Sequence, residues 1–247
     1  MEIRSGYVEL KVSDGTTMQA WTARPVDGGS LPGLLVFQEA FGVNAHIRDV
    51  TQRFAREGFI AIAPELFHRS GPGFEASYDA FPTTVPHISA LKDEQMEADE
   101  RAAFEWLVAQ GVAEGRIGAV GFCMGGRASF LAGLTLPIGC AISFYGGGIA
   151  PRGANPGLLS RAKDLRCPLL LFWGGKDKSI TRDMVRAVRD TLSEAGKNFI
   201  NVEFSDAEHG FFCDARASYN PTAAAEAWPL TLAFLRLHTA QAAAATR

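Results

Sequence analysis

The chain has 247 residues, 47% of them hydrophobic, and a formal charge of −3. That length suits one large α/β domain or two small ones, with the composition of an ordinary globular core. Mild acidity without a basic stripe argues against a nucleic-acid partner, and no apolar run is long enough to cross a bilayer. Met1 to Gly6 holds no apolar signal core. Cys123, Cys140, Cys167 and Cys213 are scattered with no CxxC pair, which fits free thiols in a reducing compartment better than a disulfide frame or a zinc site. The expected location is the cytoplasm, with no metal and no cofactor.

Residues 7–12 and 18–23 alternate apolar and polar side chains around Ser13-Asp14-Gly15, which predicts an antiparallel hairpin at a sheet edge. Residues 34–37 form a short continuous apolar run, the mark of a strand buried on both faces. The loop Gln38-Glu39-Ala40-Phe41-Gly42-Val43-Asn44 follows, then an amphipathic helix over 46–57 stopped by Gly58. Residues 59–63 are the next buried strand. Residues 65–89 lack periodicity and carry Pro72, Pro82 and Pro86. A loop of that length is usually functional, so a cap over residues 65–91 is expected. A helix over 92–110 precedes a strand from Ile117 that turns at Cys123 into a second helix.

Residues 140–145 and 168–173 are further strands, with a short helix expected over 158–163. Thr181 caps a helix to Ala195. Residues 199–204 are the last strand. The final helix starts at Asn220-Pro221 and runs toward His238, with a kink expected at Pro229 and a frayed tail from Ala240. This alternation predicts one domain over 1–247: a doubly wound, mostly parallel α/β sheet with helices on both faces.

Gly121-Phe122-Cys123-Met124-Gly125 is a G-x-C-x-G form of the nucleophile elbow, a strand-to-helix turn too tight for side chains at its flanks. It holds Cys123 in strained backbone at a helix N-terminus, where free N–H groups favour a thiolate. Asp177, in Gly174-Gly175-Lys176-Asp177, and His209, in Glu208-His209-Gly210, each follow an apolar strand. The order nucleophile, acid, histidine is that of the α/β-hydrolases. A thiol must lose its proton to attack an acyl carbon, an imidazole accepts it, and a carboxylate holds the ring. Glu39 sits where the oxyanion loop belongs, so the backbone N–H groups of Ala40 and Met124 are the expected oxyanion donors. A carboxylate so near the nucleophile suggests a gate, with Glu39 accepting the thiol proton at rest.

The Gln38–Asn44 loop, Ala63-Pro64-Glu65-Leu66, the cysteine elbow, the Gly-Gly-Lys-Asp turn and Glu208-His209-Gly210-Phe211 together resemble the dienelactone hydrolase family (carboxymethylenebutenolidases). The resemblance implies hydrolysis of an enol-lactone or small ester through a thiol ester at Cys123. It also implies arginines for a substrate carboxylate, for which Arg69 and Arg216 are candidates, with Phe41 and Phe211 beside them. A general carboxylesterase or acyl transferase is the alternative chemistry; a non-catalytic scaffold binding or sensing redox state through Cys123 is the alternative of another class. The expected partner is a small lactone or ester, and the expected state a monomer or small homo-oligomer.

Overall fold

The structure, a computed structural model, describes residues 1–153 and 155–240. The eight strands are β1 (Ile3–Lys11), β2 (Thr17–Pro25), β3 (Gly33–Phe37), β4 (Ile60–Pro64), β5 (Ile117–Phe122), β6 (Cys140–Phe144), β7 (Leu169–Gly174) and β8 (Phe199–Phe204). They form one sheet in the order β1-β2-β4-β3-β5-β6-β7-β8. Only the β1–β2 and β2–β4 pairs are antiparallel. Every residue of β3 to β7 is buried, as continuous apolar strands require, whereas the edge strands β1 and β8, and β2 beside β1, alternate.

The helices are α1 (Ala45–Arg56), α2 (Phe81–Ala90), α3 (Asp93–Ala109), α4 (Met124–Thr135), α5 (Arg182–Glu194) and α6 (Pro221–Thr239). The chain leaves β3 through α1 toward β4, then returns through α3 to β5 on the other side of β3. Right-handed crossovers in opposite directions put α1 and α3 on opposite faces. The reversal makes the C-terminal ends of β3 and β5 a topological switch point, where ligands of open α/β sheets bind. α6 meets α1 through Phe54 and Trp228, with ring centroids 4.7 Å apart.

One expectation is corrected. Residues 81–90, read as part of a structureless cap, form α2. Pro82 stands in its first turn, where a missing N–H costs nothing, and Pro86 is carried inside it. α6 carries Pro229 inside it and runs from Pro221 to Thr239. The short helix after Leu158 is a 3-10 turn, Leu159–Asp164. The caps expected at Thr181 and Asn220, and a third at Asn44, each accept a hydrogen bond from the backbone N–H three residues on. The tail from Ala240, read as frayed, lies outside the described residues beyond Ala240 itself.

Candidate active site

Strand register brings the loops together. Phe37 of β3 pairs with Gly121 of β5, so Glu39 and Cys123, each two residues further on, leave neighbouring strands at the same level. Phe122 pairs with Phe144 of β6, which sets Tyr145 beside Cys123, and the Cys123 N–H donates to the Phe144 carbonyl at 3.0 Å. Cys123 has φ 56° and ψ −117°, a conformation costly for any residue with a Cβ. Its flanking glycines are obligatory. A Cβ at Gly121 would overlap the carbonyl oxygen of Gly125, and one at Gly125 those of Phe37 and Gln38.

Asp177 lies three residues past β7 and His209 five past β8. His209 Nδ1 is 2.6 Å from Asp177 Oδ2. Asp177 Oδ1 accepts from the N–H of Ser179 (2.7 Å), the Ser179 hydroxyl (2.6 Å) and the N–H of Ile180 (3.0 Å). Burial alone would raise the Asp177 carboxyl, but His209 and these donors outweigh it and hold it below the usual carboxylate range. Burial likewise opposes charge on His209. The neighbouring Cys123 sulfur, with the hydrogen bond to Asp177, reverses that and pushes its pKa up to about 10. Cys123, Asp177 and His209 line one cavity of about 760 Å³, together with Ala40 and Met124.

Glu39 is fully buried. Gln38 fixes its loop by accepting from the Leu66 N–H (3.1 Å) and donating to the Glu39 carbonyl (3.3 Å). The carboxylate pairs with Arg216, Nη1 to Oε1 at 2.9 Å, and Oε2 has no partner. The expected hydrogen bond from the Cys123 thiol to Glu39 is therefore absent from this arrangement, in which the guanidinium has taken the carboxylate. Gly210 (φ 81°) makes this possible: a Cβ there would lie 2.7 Å from Arg216 Nε. Arg216 also sits over the Phe41 ring, 5.6 Å from its centroid.

Of the expected substrate contacts, only Arg216 reaches the cavity. Arg69 is held elsewhere, by Asp14 (2.7 Å) and by both oxygens of buried Asp99 (2.8 and 2.9 Å). Phe41 is buried against Tyr78 and Phe81, and Phe211 against Tyr145, so both back the site and neither lines it.

Several residues were not foreseen. Ser179 braces Asp177 and lies 3.2 Å from His209 Nδ1. Tyr145 is fully buried with φ 40°, its hydroxyl unpartnered and its ring 5.1 Å from that of His209; its place at a strand end before three glycines was the available signal. Arg127, Arg152, Lys176 and Lys178 also line the cavity, and Phe81, Ile88, Leu91 and Met96 give it apolar wall.

Among the described residues, one group could hold a metal: His46, Cys213 and Asp214, whose donor atoms lie within 4.8 Å of one another. The donors suit an ion poorly. Burial, with Glu39 nearby, pushes the Cys213 thiol up to about 12, and Arg53 already binds Asp214 at 3.0 Å. Cys140 and Cys167 are buried thiols, both raised by burial. No described helix is long and apolar enough to cross a membrane.

A mostly parallel eight-stranded sheet, a strained cysteine between strand and helix, and a histidine–aspartate pair at the same sheet edge define an α/β-hydrolase. The model of the dienelactone hydrolase family matches residues 18–239. A Synechocystis sp. protein named "putative carboxymethylenebutenolidase" is 40% identical over 217 residues, 84% of this chain and 87% of its own. One of the same name from Escherichia coli is 34% identical over 239 residues, 95% of this chain and 87% of its own. The crystal structure of a "putative dienelactone hydrolase" from Klebsiella pneumoniae superposes with a TM-score of 0.87 at 34% identity, covering 95% of this chain and 99% of that one. The chain belongs to the dienelactone hydrolase family, and is a hydrolase of that kind.

Proposed function

We propose that the chain hydrolyses a small lactone or carboxylic ester through a thiol ester on Cys123. His209 takes the thiol proton and the sulfur attacks the acyl carbon. The C–S bond forms as the carbonyl electron pair moves onto oxygen, where the N–H groups of Ala40 and Met124 receive it. Neither N–H has another hydrogen-bond acceptor recorded among the described residues. The tetrahedral centre collapses, the C–O bond to the leaving oxygen breaks, and His209 returns the proton to that oxygen. Water, deprotonated by the same imidazole, then attacks the thiol ester, releasing the acid and restoring the thiol. Asp177 keeps Nδ1 protonated and the ring aimed at sulfur.

The observation that carries this reading is the Cys123 sulfur, held at positive φ and opening into the same cavity as a histidine whose far nitrogen is 2.6 Å from Asp177. Glu39 serves as the gate: with Arg216 drawn away its carboxylate accepts the thiol proton, and with Arg216 engaged the sulfur is left to His209. Burial of Arg216 is offset by Glu39 first and then by Cys123, so one guanidinium answers to both charges. We further propose a single domain over 1–247 with residues 65–91 as its cap.

The test is hydrolysis of dienelactone and p-nitrophenyl acetate by wild type, Cys123→Ala and Glu39→Ala. Loss of both activities in Cys123→Ala is expected; turnover surviving in that variant would overturn the nucleophile.

A further inference from the structure

Most charges in the cavity cancel in pairs. Arg216 is engaged by Glu39, His209 by Asp177, and Arg127 by Asp93 through hydrogen bonds of 2.6 and 3.0 Å. Three lining cations have no carboxylate partner among the described residues: Arg152, Lys176 and Lys178. Against them stands one unpaired lining carboxylate, Glu208. The three belong to one corner. Lys176 and Lys178 flank Asp177, and Arg152 reaches the same loop, its Nη1 3.5 Å from the Ser179 carbonyl oxygen. Arg152 is presented by a closed turn, its backbone N–H donating to Asn155 (2.9 Å) and the Asn155 N–H donating back (3.0 Å).

Lys176 and Lys178 flank the residue that holds the imidazole, and the three cations, the imidazole and the sulfur all line one cavity. His209 must hand its proton to the leaving oxygen, so the leaving half of the substrate lies against that imidazole, whose partner Asp177 stands between Lys176 and Lys178. Phe81, Ile88, Leu91 and Met96 supply apolar surface along the same cavity, which is far larger than a five-membered lactone requires.

We propose that Arg152, Lys176 and Lys178 form a subsite for a carboxylate carried at the far end of an extended apolar leaving group. This deepens the thiol-ester reading and rests on it. The substrate class it defines is an ester, not a compact lactone alone, whose alcohol half runs as an apolar chain or ring to an anionic end.

The test compares 6-(4-acetoxyphenyl)hexanoate with its neutral primary amide, reading phenol release by absorbance. In wild type at low salt, kcat/KM should favour the carboxylate by about tenfold, the product of two or three exposed ion pairs worth a factor of about two to five each. The preference should reside in KM and shrink as salt rises. Arg152→Ala with Lys178→Ala should bring the ratio close to one, and Arg152→Glu with Lys178→Glu should invert it. A wild-type ratio near one, or a ratio unmoved in either double variant, would overturn the subsite. The same esters on Cys123→Ala separate the two claims. Turnover there refutes the thiol-ester reading, whereas no turnover there with a wild-type ratio near one refutes the subsite alone.

Discussion

Arg216 reaches across 177 positions of sequence to close a 2.9 Å ion pair on Glu39, a carboxylate with no exposed surface. Removing one partner of a buried pair leaves the other charge uncompensated, which costs more than the pair contributes. Arg216→Ala should therefore lower stability by about 3 kcal/mol in urea unfolding. Glu39→Gln in the same chain should recover part of that loss, since the orphaned group is then neutral. An additive double variant would contradict the coupling.

The elbow glycines make a sterner demand. Gly125→Ala drives a methyl group into the Phe37 and Gln38 carbonyls, backbone atoms that cannot rotate away. The expected result is a loss of at least about 3 kcal/mol, or no soluble protein. Gly6→Ala, whose Cβ would meet nothing within 4 Å, should stay within about 1 kcal/mol of wild type by the same measurement.

Asp177 holds His209 through one oxygen and is itself fixed by three donors on the other. Asp177→Asn keeps the shape but loses the charge and the tautomer it enforces, so kcat should fall about a thousandfold. Ser179→Ala removes one donor of the three and should cost about tenfold or less, because the two backbone N–H groups remain.

Stability should depend on pH through the same histidine. The folded chain raises His209 from 6.5 to about 10, so it binds that proton more tightly than the unfolded chain. The linked stability is complete below about pH 6.5 and is lost as pH rises through about 10. Unfolding of wild type and Cys123→Ala at about pH 6 and about pH 9.5 should show a smaller loss in the variant, which lacks the strongest favourable partner of the imidazolium. Equal losses would contradict the Cys123–His209 contact.

The sheet and the positions of Cys123, Asp177 and His209 were readable because buried parallel strands are continuous apolar runs, and each of these residues follows one at a glycine-marked turn. Helix α2 was not, for a physical reason. Its Phe81 and Ile88 line the cavity, Phe81 and Val85 are half exposed and Thr84 is its one buried residue, so no apolar face of helical period forms. Arg69 was misplaced because its partners, Asp14 and Asp99, stand 55 and 30 residues away. The cationic corner is equally non-local: Arg152 joins Lys176 and Lys178 only through the turn after β6 folding back on the loop after β7.

The central claim is covalent, and trapping tests it most directly. Wild type mixed with p-nitrophenyl acetate, quenched in acid within its first turnovers and digested, should yield an acetylated peptide by mass spectrometry with the acyl group on Cys123, lost when hydroxylamine is added. An acyl group on any other residue, or full turnover with none trapped on Cys123 and activity retained in Cys123→Ala, would contradict it.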